Sequence, residues 1–223
     1  MCKPPDYDAI EIQMWRENAA NVVANLDEQD KNLLKKIQTY RWRFGYSEVE
    51  IHDKIRKDEM FRSWFAKEPR RQGFHEIIAG EYLKQFDLIS DFQILNKGGD
   101  LAEYITSDGH IIDGKNLQDQ AIAKSLDFKW KTLHIQCYAS HKYTKESGGN
   151  QDSQYKEQLS LLRSFQKRTR GDIAFFVICD GKFYNESRME HLCSLTRQYK
   201  PYSFACHIEH VIGKLSWMTA QKA

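Results

Sequence analysis

Two side chains of opposite charge lie close to one predicted strand hairpin. Asp127 stands in the segment KSLDFKW, just before or on one strand, and Lys142 ends the next strand, TLHIQCYASHK. A carboxylate and a lysine on adjacent strands can converge on one phosphate. The carboxylate holds a hard divalent cation through oxygen, and the ammonium stabilises the attacking water or the charge that develops on the phosphate. A surface lysine and a turn aspartate without any function would produce the same sequence pattern, so this pair alone identifies no function.

The residues after Lys142 are more specific. Residues 141–155 read HKYTKESGGNQDSQY, and a serine-leucine-aspartate element ending at Asp127 precedes them. An S-x-D element, a strand ending in K-Y/R-T-K and then GGxQDxQ occur in this order in several type II restriction endonucleases, and the chain resembles these members of the PD-(D/E)xK nuclease superfamily. Residues 71–76, RQGFHE, and 177–181, VICDG, resemble the start of a helix and a later apolar strand of the same enzymes. The resemblance spans roughly residues 61–184.

This resemblance implies a function and its requirements. Enzymes of this kind hydrolyse phosphodiester bonds of double-stranded DNA at a short palindromic site and leave 5′-phosphate and 3′-hydroxyl ends. They use Mg²⁺, for which Mn²⁺ substitutes, and need no covalent intermediate. They usually read the palindrome as two-fold homodimers, so each subunit cuts one strand. A DNA methyltransferase is the expected functional counterpart.

The same resemblance implies a set of site residues. Lys142 orients water and helps to deprotonate it, and Asp127 holds the metal ion together with a second carboxylate. The chain departs from the superfamily pattern at Ser140, two residues before the lysine, where Asp or Glu is usual. Some members with a serine there recruit a carboxylate from the following helix, and most have a glutamate on the helix before the sheet. The implied set therefore includes Glu76 or Glu81 as the upstream acid, Asp152 or Glu157 as the replacement acid, and the carbonyl of His141 as a further metal ligand.

Other assignments stay open. Asp113 is an alternative to Asp127, although its separation of 29 residues from Lys142 is less natural. An alignment that places Gln136 and Tyr138 at the acid and lysine positions contains no lysine and is inferior. A repair nickase or a junction resolvase would use the same fold without a palindrome. The serine at the acid position also allows a DNA-binding protein that has lost the chemistry.

Positive charge is concentrated around these residues. The chain has 33 Lys and Arg against 31 Asp and Glu, a net charge of +2, which excludes a protein that coats polyanions through bulk charge. Residues 129–170 contain nine basic and three acidic residues, a local net charge of +6, and neutralised phosphates supply most sequence-independent affinity for DNA. Glycines allow close backbone approach and amides suit adenine edges, although a capped helix with solvated amides has the same composition. The predicted DNA contacts are Lys145, Gly148, Gly149, Asn150, Gln151, Asp152 and Gln154.

The first 70 residues or so are predicted to be helical. Apolar residues recur at helical spacing in three stretches, and Ser47 with Glu50 forms a capping box that starts the third. Residues 1–70 are assigned to a helical region that dimerises or contacts DNA, and 71–223 to a nuclease-like domain. The aromatic and basic residues at 40–44, with Arg41 and Arg43, are a candidate DNA clasp, although ordinary helix packing also produces such clusters. The three helical stretches are 10–26, 33–37 and 49–65.

The site residues need a sheet with helices around it. Residues 132–142 alternate, with Leu133, Ile135, Cys137 and Ala139 directed at a core. The order of elements predicts an α/β or α+β fold with a central mixed sheet flanked by helices, restriction-endonuclease-like by the resemblance. The further predicted elements are a helix over 72–86 with Phe74, Ile77, Ile78, Tyr82 and Leu83 inward, turns at 97–100 and 107–109, a helix over 151–168, a doubly buried strand over 173–179, a helix over 188–198 and a strand over 202–206.

Length and composition set the outer bounds. A chain of 223 residues with 41% hydrophobic residues suits one domain with a modest extension. The N-terminus lacks the apolar region of a secretion signal, and no window has the ~18–20 apolar residues of a membrane span. Five scattered cysteines without a CxxC pair predict reduced, buried thiols in a cytoplasmic protein. His207 and His210 lack a second pair of ligands, so structural zinc is not expected.

Overall fold

The computed structural model describes residues 2–69, 73–117, 122–145, 149–169 and 171–221, with only the backbone of 122, 123, 149 and 150. It is an α/β protein with an N-terminal helical region, a mixed five-stranded sheet, a small antiparallel sheet and interspersed helices, which confirms the predicted class. The chain divides into two compact units, Asp6–Phe74 and Met1–Pro5 with His75–Ala223. No helix in the described ranges combines the length and the apolar character that crossing a bilayer requires.

The first unit is built from four helices around an apolar core. The capping box at Ser47 and Glu50 is present as predicted, because the serine accepts from the Glu50 backbone N–H and the glutamate accepts from that of Ser47. The core residues come from all four helices or their ends, which explains the helical spacing of the sequence. The helices are α1 (Tyr7–Asp27), α2 (Lys31–Phe44), α3 (Glu48–Lys57) and α4 (Glu59–Ser63).

The prediction of a single helix over 49–65 was wrong, because the helix is interrupted at Asp58 and two helices form. This residue has extended backbone angles, φ −117° and ψ 109°, and its carboxylate accepts from the backbone N–H of Phe61 at 3.0 Å. Aspartate is a favoured N-cap, so the side chain starts a new helix where the apolar spacing alone indicates a continuous one. The buried residues Ile51, Ile55 and Phe65 still face one core across the break.

The second unit is organised by the five-stranded sheet, whose strand order is β1-β5-β6-β7-β8. Strands β1, β5 and β6 are antiparallel, whereas β6, β7 and β8 run parallel, with helices in the connections. β7 is buried along almost its whole length, as the unbroken apolar run predicts for a strand covered on both faces. The elements are α5 (Phe74–Leu83), β1 (Ser90–Ile94), β5 (Phe128–Thr132), β6 (Ile135–Tyr143), α6 (Gly149–Gln166), β7 (Ile173–Asp180), α7 (Glu186–Ser194), β8 (Tyr202–Cys206) and α8 (Val211–Ala220).

A small antiparallel sheet precedes the β5–β6 hairpin. It consists of β2 (Glu103–Thr106), β3 (Ile111–Asp113) and β4 (Ile122–Ser125) in the order β3-β2-β4. The predicted turn at 107–109 joins β2 to β3, with Gly109 at φ +85°. The backbone N–H of Leu126 donates to Glu103 of β2, and that of Asp127 donates to Ala139 of β6. The chain therefore passes from one sheet to the other between these two residues.

The strand predicted over 132–142 was wrong at its start. β5 ends at Thr132, and Leu133 and His134 form the turn that leads into β6 at Ile135. Leu133 has φ +54° and is 64% exposed, so it does not face the core. Alternation of apolar and polar residues does not reveal a two-residue turn without glycine or asparagine. The remaining residues Ile135, Cys137 and Ala139 are fully buried as predicted.

Smaller differences concern the helices of the second unit. Ile77 is 46% exposed rather than directed inward, and α5 ends at Leu83 instead of residue 86. The predicted start of that helix at Gln72 lies outside the described residues. The helix α8 was not predicted, although it contributes Val211, Leu215 and Met218 to the core. All five cysteines are free; three are buried as predicted, but Cys2 and Cys193 are exposed.

The two faces of the five-stranded sheet pack against different helices near the end of β6. Cys137 and Ala139 of β6 pack in the cluster that contains residues of α5 and α8, whereas Tyr138 packs against the cluster of α6 and α7. Because side chains alternate along a strand, Ser140 and Lys142 share the α6 face with Tyr138, and His141 shares the α5 and α8 face. The end of β6 thus presents its polar residues to both layers of helices.

Gly181, directly after β7, makes the close approach between the ends of β7 and β6 possible. It has φ +94°, and a Cβ atom there would clash with the carbonyl oxygen of Thr144. We expect Gly181→Ala to lower the free energy of unfolding by at least ~2 kcal/mol, because it combines backbone strain with this clash. The measurement is urea unfolding followed by circular dichroism.

Gly213→Ala is the matched control, since Gly213 lies inside α8 and a Cβ there meets no atom within 4 Å. Alanine favours a helix over glycine, so this variant should gain up to ~1 kcal/mol. Equal stability of the two variants would contradict the proposed packing of Gly181.

Candidate active site at the ends of β6 and β7

The Asp127 carboxylate is attached to the end of β6. Its Oδ2 accepts from the backbone N–H of His141 at 2.9 Å and from the hydroxyl of Ser140 at 3.3 Å. Its own backbone N–H donates to Ala139, and its carbonyl accepts from the N–H of Leu95, each at 2.9 Å. Asp127 is buried, so both its backbone and its carboxylate have a defined position. Ser140 is fully buried, and its hydroxyl orients this carboxylate.

Lys142, the penultimate residue of β6, is half-buried among carboxylates. Burial acts to lower the pKa of its ammonium, but the carboxylates of Asp127, Glu157 and Glu76 outweigh this effect, and the pKa is raised. The spacing of 15 residues between Asp127 and Lys142 therefore does bring two interacting charges together. Lys142 remains a cation at neutral pH.

Lys124 is a second lysine at the same place, and sequence reasoning missed it. Its Nζ lies 2.9 Å from Oε2 of Glu157, a residue of α6. Burial and the neighbouring Lys142 ammonium lower the pKa of Lys124, while Glu157 and Asp127 act in the opposite direction. Lys124, Asp127, Lys142 and Glu157 are called the charge cluster below. The only signal in the sequence was that Lys124 stands three residues before Asp127, at the end of a strand.

Glu76 approaches the site from α5. Its Oε1 pairs with Lys97 Nζ at 2.9 Å, and its side chain is mostly buried. Burial acts to raise the pKa of the carboxyl group, but the hydrogen bond and charge of Lys97 and the charge of His141 lower it overall. Glu76 thus reaches both His141 and Lys142 electrostatically.

A buried histidine and aspartate lie on the other face of the same strand ends. His141 Nε2 is 3.1 Å from Asp180 Oδ2, and Asp180 Oδ1 accepts from the backbone N–H of Ile208 at 3.0 Å. His207 Nδ1 lies 3.8 Å from the same Oδ1. Neither Asp180 nor His207 was assigned to a functional site from the sequence. Their signal was the position of Asp180 at the carboxyl end of a buried parallel strand, where sites of α/β proteins are common.

Two of the proposed metal acids lie elsewhere. Asp152 is 58% exposed at its side chain, and its Oδ1 is 3.9 Å from Arg188. Glu81 is 63% exposed and pairs with Lys84 at 2.7 Å. Glu157 is the candidate from α6 that interacts with Lys142.

The donor set suits Mg²⁺ better than a metal held only by protein side chains. In the described part of the chain, no group of three His, Cys, Asp or Glu side chains is arranged to hold a metal ion. Mg²⁺ commonly uses one or two carboxylates together with substrate phosphates and water. Asp127 and Glu157 fit that requirement, since both carboxylates act to raise the pKa of Lys124 and of Lys142. Both hydrogen bonds to the Asp127 carboxylate from described residues fall on Oδ2.

The predicted DNA contacts follow the end of β6 into α6. Lys145 and Gln151 are half-buried, and Gln154 accepts from the Thr144 hydroxyl at 3.3 Å, so this amide is engaged inside the protein. α6 begins at Gly149, two residues before the predicted start. Gly148 lies outside the described residues, as do Arg71 and Gln72 of the segment that resembles a helix start; of Gly149 and Asn150 only the backbone is described.

The aromatic-basic cluster of the first unit combines ring contacts with exposed side chains. The Tyr40 ring contacts Phe44 at 4.4 Å and Phe65 at 5.3 Å between centroids. Arg41 pairs with Glu48 at 2.7 Å, whereas Arg43 is exposed and Trp42 is 87% exposed. Tyr40 is half-buried, whereas Arg41, Trp42, Arg43 and Phe44 are all exposed to solvent.

The charge cluster is the feature from which a function can be inferred. The chain gives no match to known protein-family models, to curated proteins or to solved structures. Its function is therefore inferred from its own residues and their chemistry.

Gln158, next to Glu157, is fully buried, and neither atom of its amide has a hydrogen-bond partner among the described residues. An unpaired buried amide lowers stability, so Gln158→Met should raise the free energy of unfolding by about 1 kcal/mol. The measurement is urea unfolding.

Gln166→Met is the control on the same helix, because the Gln166 amide donates to the Leu195 carbonyl at 2.6 Å. This variant should lose about 1 kcal/mol. A loss of stability in Gln158→Met would mean that its amide is paired.

The lowered pKa of Glu76 predicts a pH-dependent contribution to stability. A carboxylate whose folded pKa lies below its unfolded value stabilises the protein above the unfolded value and loses this contribution as the pH falls through the folded pKa. We expect Glu76→Gln to have a lower Tm than the wild type at pH 7, and the difference to shrink below the ordinary pKa of 4.5. Lys97→Met should give the same pattern. A difference in Tm that does not vary with pH would contradict this role.

Proposed function

We propose that the chain is a Mg²⁺-dependent endonuclease of the PD-(D/E)xK type, which hydrolyses double-stranded DNA at a short palindromic site as a homodimer. One observation carries this proposal: Lys142 interacts with the carboxylates of Asp127 and Glu157 at the carboxyl end of β6. A cation beside two carboxylates suits phosphodiester hydrolysis, in which metal and ammonium share the negative charge of the phosphate.

The order of the elements supports the finer fold assignment. α5 with Glu76 comes before the sheet, the β5–β6 hairpin carries Asp127 and Lys142, and α6 carries Glu157. The resemblance implies this order: an upstream helical acid, a strand ending in the lysine, and a helix that supplies the acid missing at Ser140. Glu157 is the replacement acid in this proposal, since Asp152 interacts with Arg188 instead.

Asp127, Glu157 and the His141 carbonyl would hold Mg²⁺. In an extended strand the N–H and the C=O of one residue project to the same side, so the His141 carbonyl faces the side on which its N–H meets Asp127. When bound, the ion supplies a Lewis acid that polarises the scissile phosphate and its attacking water. The protein orients Asp127 through Ser140 and the His141 N–H.

Lys142 supplies a fixed positive charge to the reaction. Its raised pKa keeps the ammonium protonated at neutral pH. Its role in this proposal is to orient the attacking water and to stabilise the charge that develops on the phosphate. In-line attack then leaves a 5′-phosphate and a 3′-hydroxyl, as in the enzymes that the chain resembles.

DNA affinity is proposed to come from the basic region around the site. Residues 129–170 have a net charge of +6. α6 begins at Gly149, and the amides of its first turn form the positive end of the helix dipole, which favours phosphate. Lys145 lies between β6 and α6, Gln151 lies in the first turn of α6, and both are proposed DNA contacts with half-buried side chains.

Lys142→Ala separates a nuclease from a DNA-binding protein without the chemistry. We expect Mg²⁺-dependent cleavage to fall by at least about 100-fold, because the variant loses the charge that stabilises the transition state, while duplex binding is retained. The measurement is digestion of a sequenced phage DNA with mapping of the fragment ends, together with electrophoretic mobility shift.

Lys200→Ala is the control, since Lys200 lies outside residues 129–170 and pairs with Asp172 just before β7, at the opposite end of this strand from the charge cluster. It should cleave like the wild type. Absence of any Mg²⁺-dependent nicking by the wild type would overturn the proposal, and nicking without a defined sequence would favour a repair nickase or resolvase.

A further inference from the structure

The Lys124 ammonium occupies a position suited to a cation. Its Nζ is 2.9 Å from Glu157 Oε2, it also interacts with Asp127, and its side chain is only 15% exposed. These two carboxylates are the ones proposed to hold Mg²⁺. Lysine and metal ion therefore compete for the same oxygen atoms.

The balance of charge makes this competition strong. The charge cluster contains two ammonium groups and two carboxylates, so it is neutral without a metal ion. A divalent cation added to the intact cluster would face Lys124 and Lys142 together, and such repulsion is large where solvent is largely excluded. The phosphates of DNA supply the negative charge that a cluster with both lysines and a metal ion lacks.

Lys124 is better placed to move than Lys142. Lys142 pairs with Cys179 of β7, which is buried along almost its whole length, whereas β4 with Lys124 is an outer strand of the small sheet. The partner carboxylate of Glu157 is 34% exposed, so this pair lies at the solvent side of the cluster. The four-carbon stem of lysine lets its ammonium change partner without movement of the backbone.

We propose that the Lys124 ammonium pairs with the Glu157 carboxylate in the metal-free protein and moves to a DNA phosphate when metal and DNA bind together. This inference rests on the proposed function. Lys124 is a positioning residue: it keeps metal affinity low without DNA and couples the two binding steps. No covalent bond changes in this exchange.

The first test measures Mn²⁺ binding without DNA by isothermal titration calorimetry. Lys124→Met should bind Mn²⁺ about fivefold more tightly than the wild type, because Glu157 is free, which corresponds to about 1 kcal/mol. Lys124→Gln serves as a second variant that keeps a polar side chain, and thermal unfolding checks that both variants fold. Lys129→Met is the matched control, because Lys129 pairs with Glu103 at 2.6 Å outside the charge cluster and should leave the affinity unchanged.

A double-mutant cycle identifies the cause. If Lys124 competes for Glu157, then Lys124→Met in a Glu157→Gln background should change Mn²⁺ affinity by less than about twofold. An equal gain in both backgrounds would mean that the lysine acts only through its general charge, and the proposal would be overturned. An unchanged affinity in Lys124→Met, or no Mn²⁺ binding by any variant, would overturn it too.

The second test measures the coupling between metal and DNA. A short phosphorothioate duplex, which resists cleavage, should raise the Mn²⁺ affinity of the wild type more than that of Lys124→Met, since coupling is reciprocal and uses this lysine. Equal coupling in the two proteins would contradict the transfer to phosphate. If the wild type cleaves no DNA but the Mn²⁺ affinities of the variants differ as expected, only the nuclease proposal fails. If the wild type cleaves DNA and the Mn²⁺ affinities do not differ between the variants, only the role of Lys124 fails.

Discussion

The site depends on the hydrogen bonds that connect the Asp127 carboxylate to the end of β6. The N–H of His141 and the hydroxyl of Ser140 both donate to Oδ2, while the backbone of Asp127 bonds to Ala139 and Leu95. A buried carboxylate is costly unless it accepts such bonds, so these contacts both stabilise it and set its direction. Because the N–H of the preceding residue, Leu126, donates to Glu103 of the small sheet, they also help to determine where Lys124 lies.

Charge balance is the second constraint on this region. Two lysines and two carboxylates compensate one another at the edge of the core, and Glu76 is compensated by Lys97. Each charged side chain alone would be unfavourable in a largely buried position, whereas the four side chains together compensate one another's charge. The amide of the buried Gln158 has no hydrogen-bond partner among the described residues and lies next to Glu157 on the same helix, so it lowers stability beside the charge cluster.

Much of the fold could be predicted because its signals are local. The capping box at Ser47, the helical face of α6 and the unbroken apolar run of β7 each depend on neighbouring residues. The errors have local causes as well: the Asp58 cap interrupts a continuous apolar spacing, and Leu133 forms a turn without a turn residue. Helix α8 was missed, although its buried residues follow helical spacing.

The sequence by itself determined that Asp127 stands directly beside the strand hairpin that contains Lys142 and that basic charge gathers around both residues. Only the tertiary structure decided which helical acid approaches Lys142, because the distance between α6 and the strand ends depends on packing across the sheet. It selected Glu157, left Asp152 beside Arg188 and brought Lys124 into contact from another sheet. Such contacts join residues far apart in the chain, so no spacing in the sequence encodes them directly.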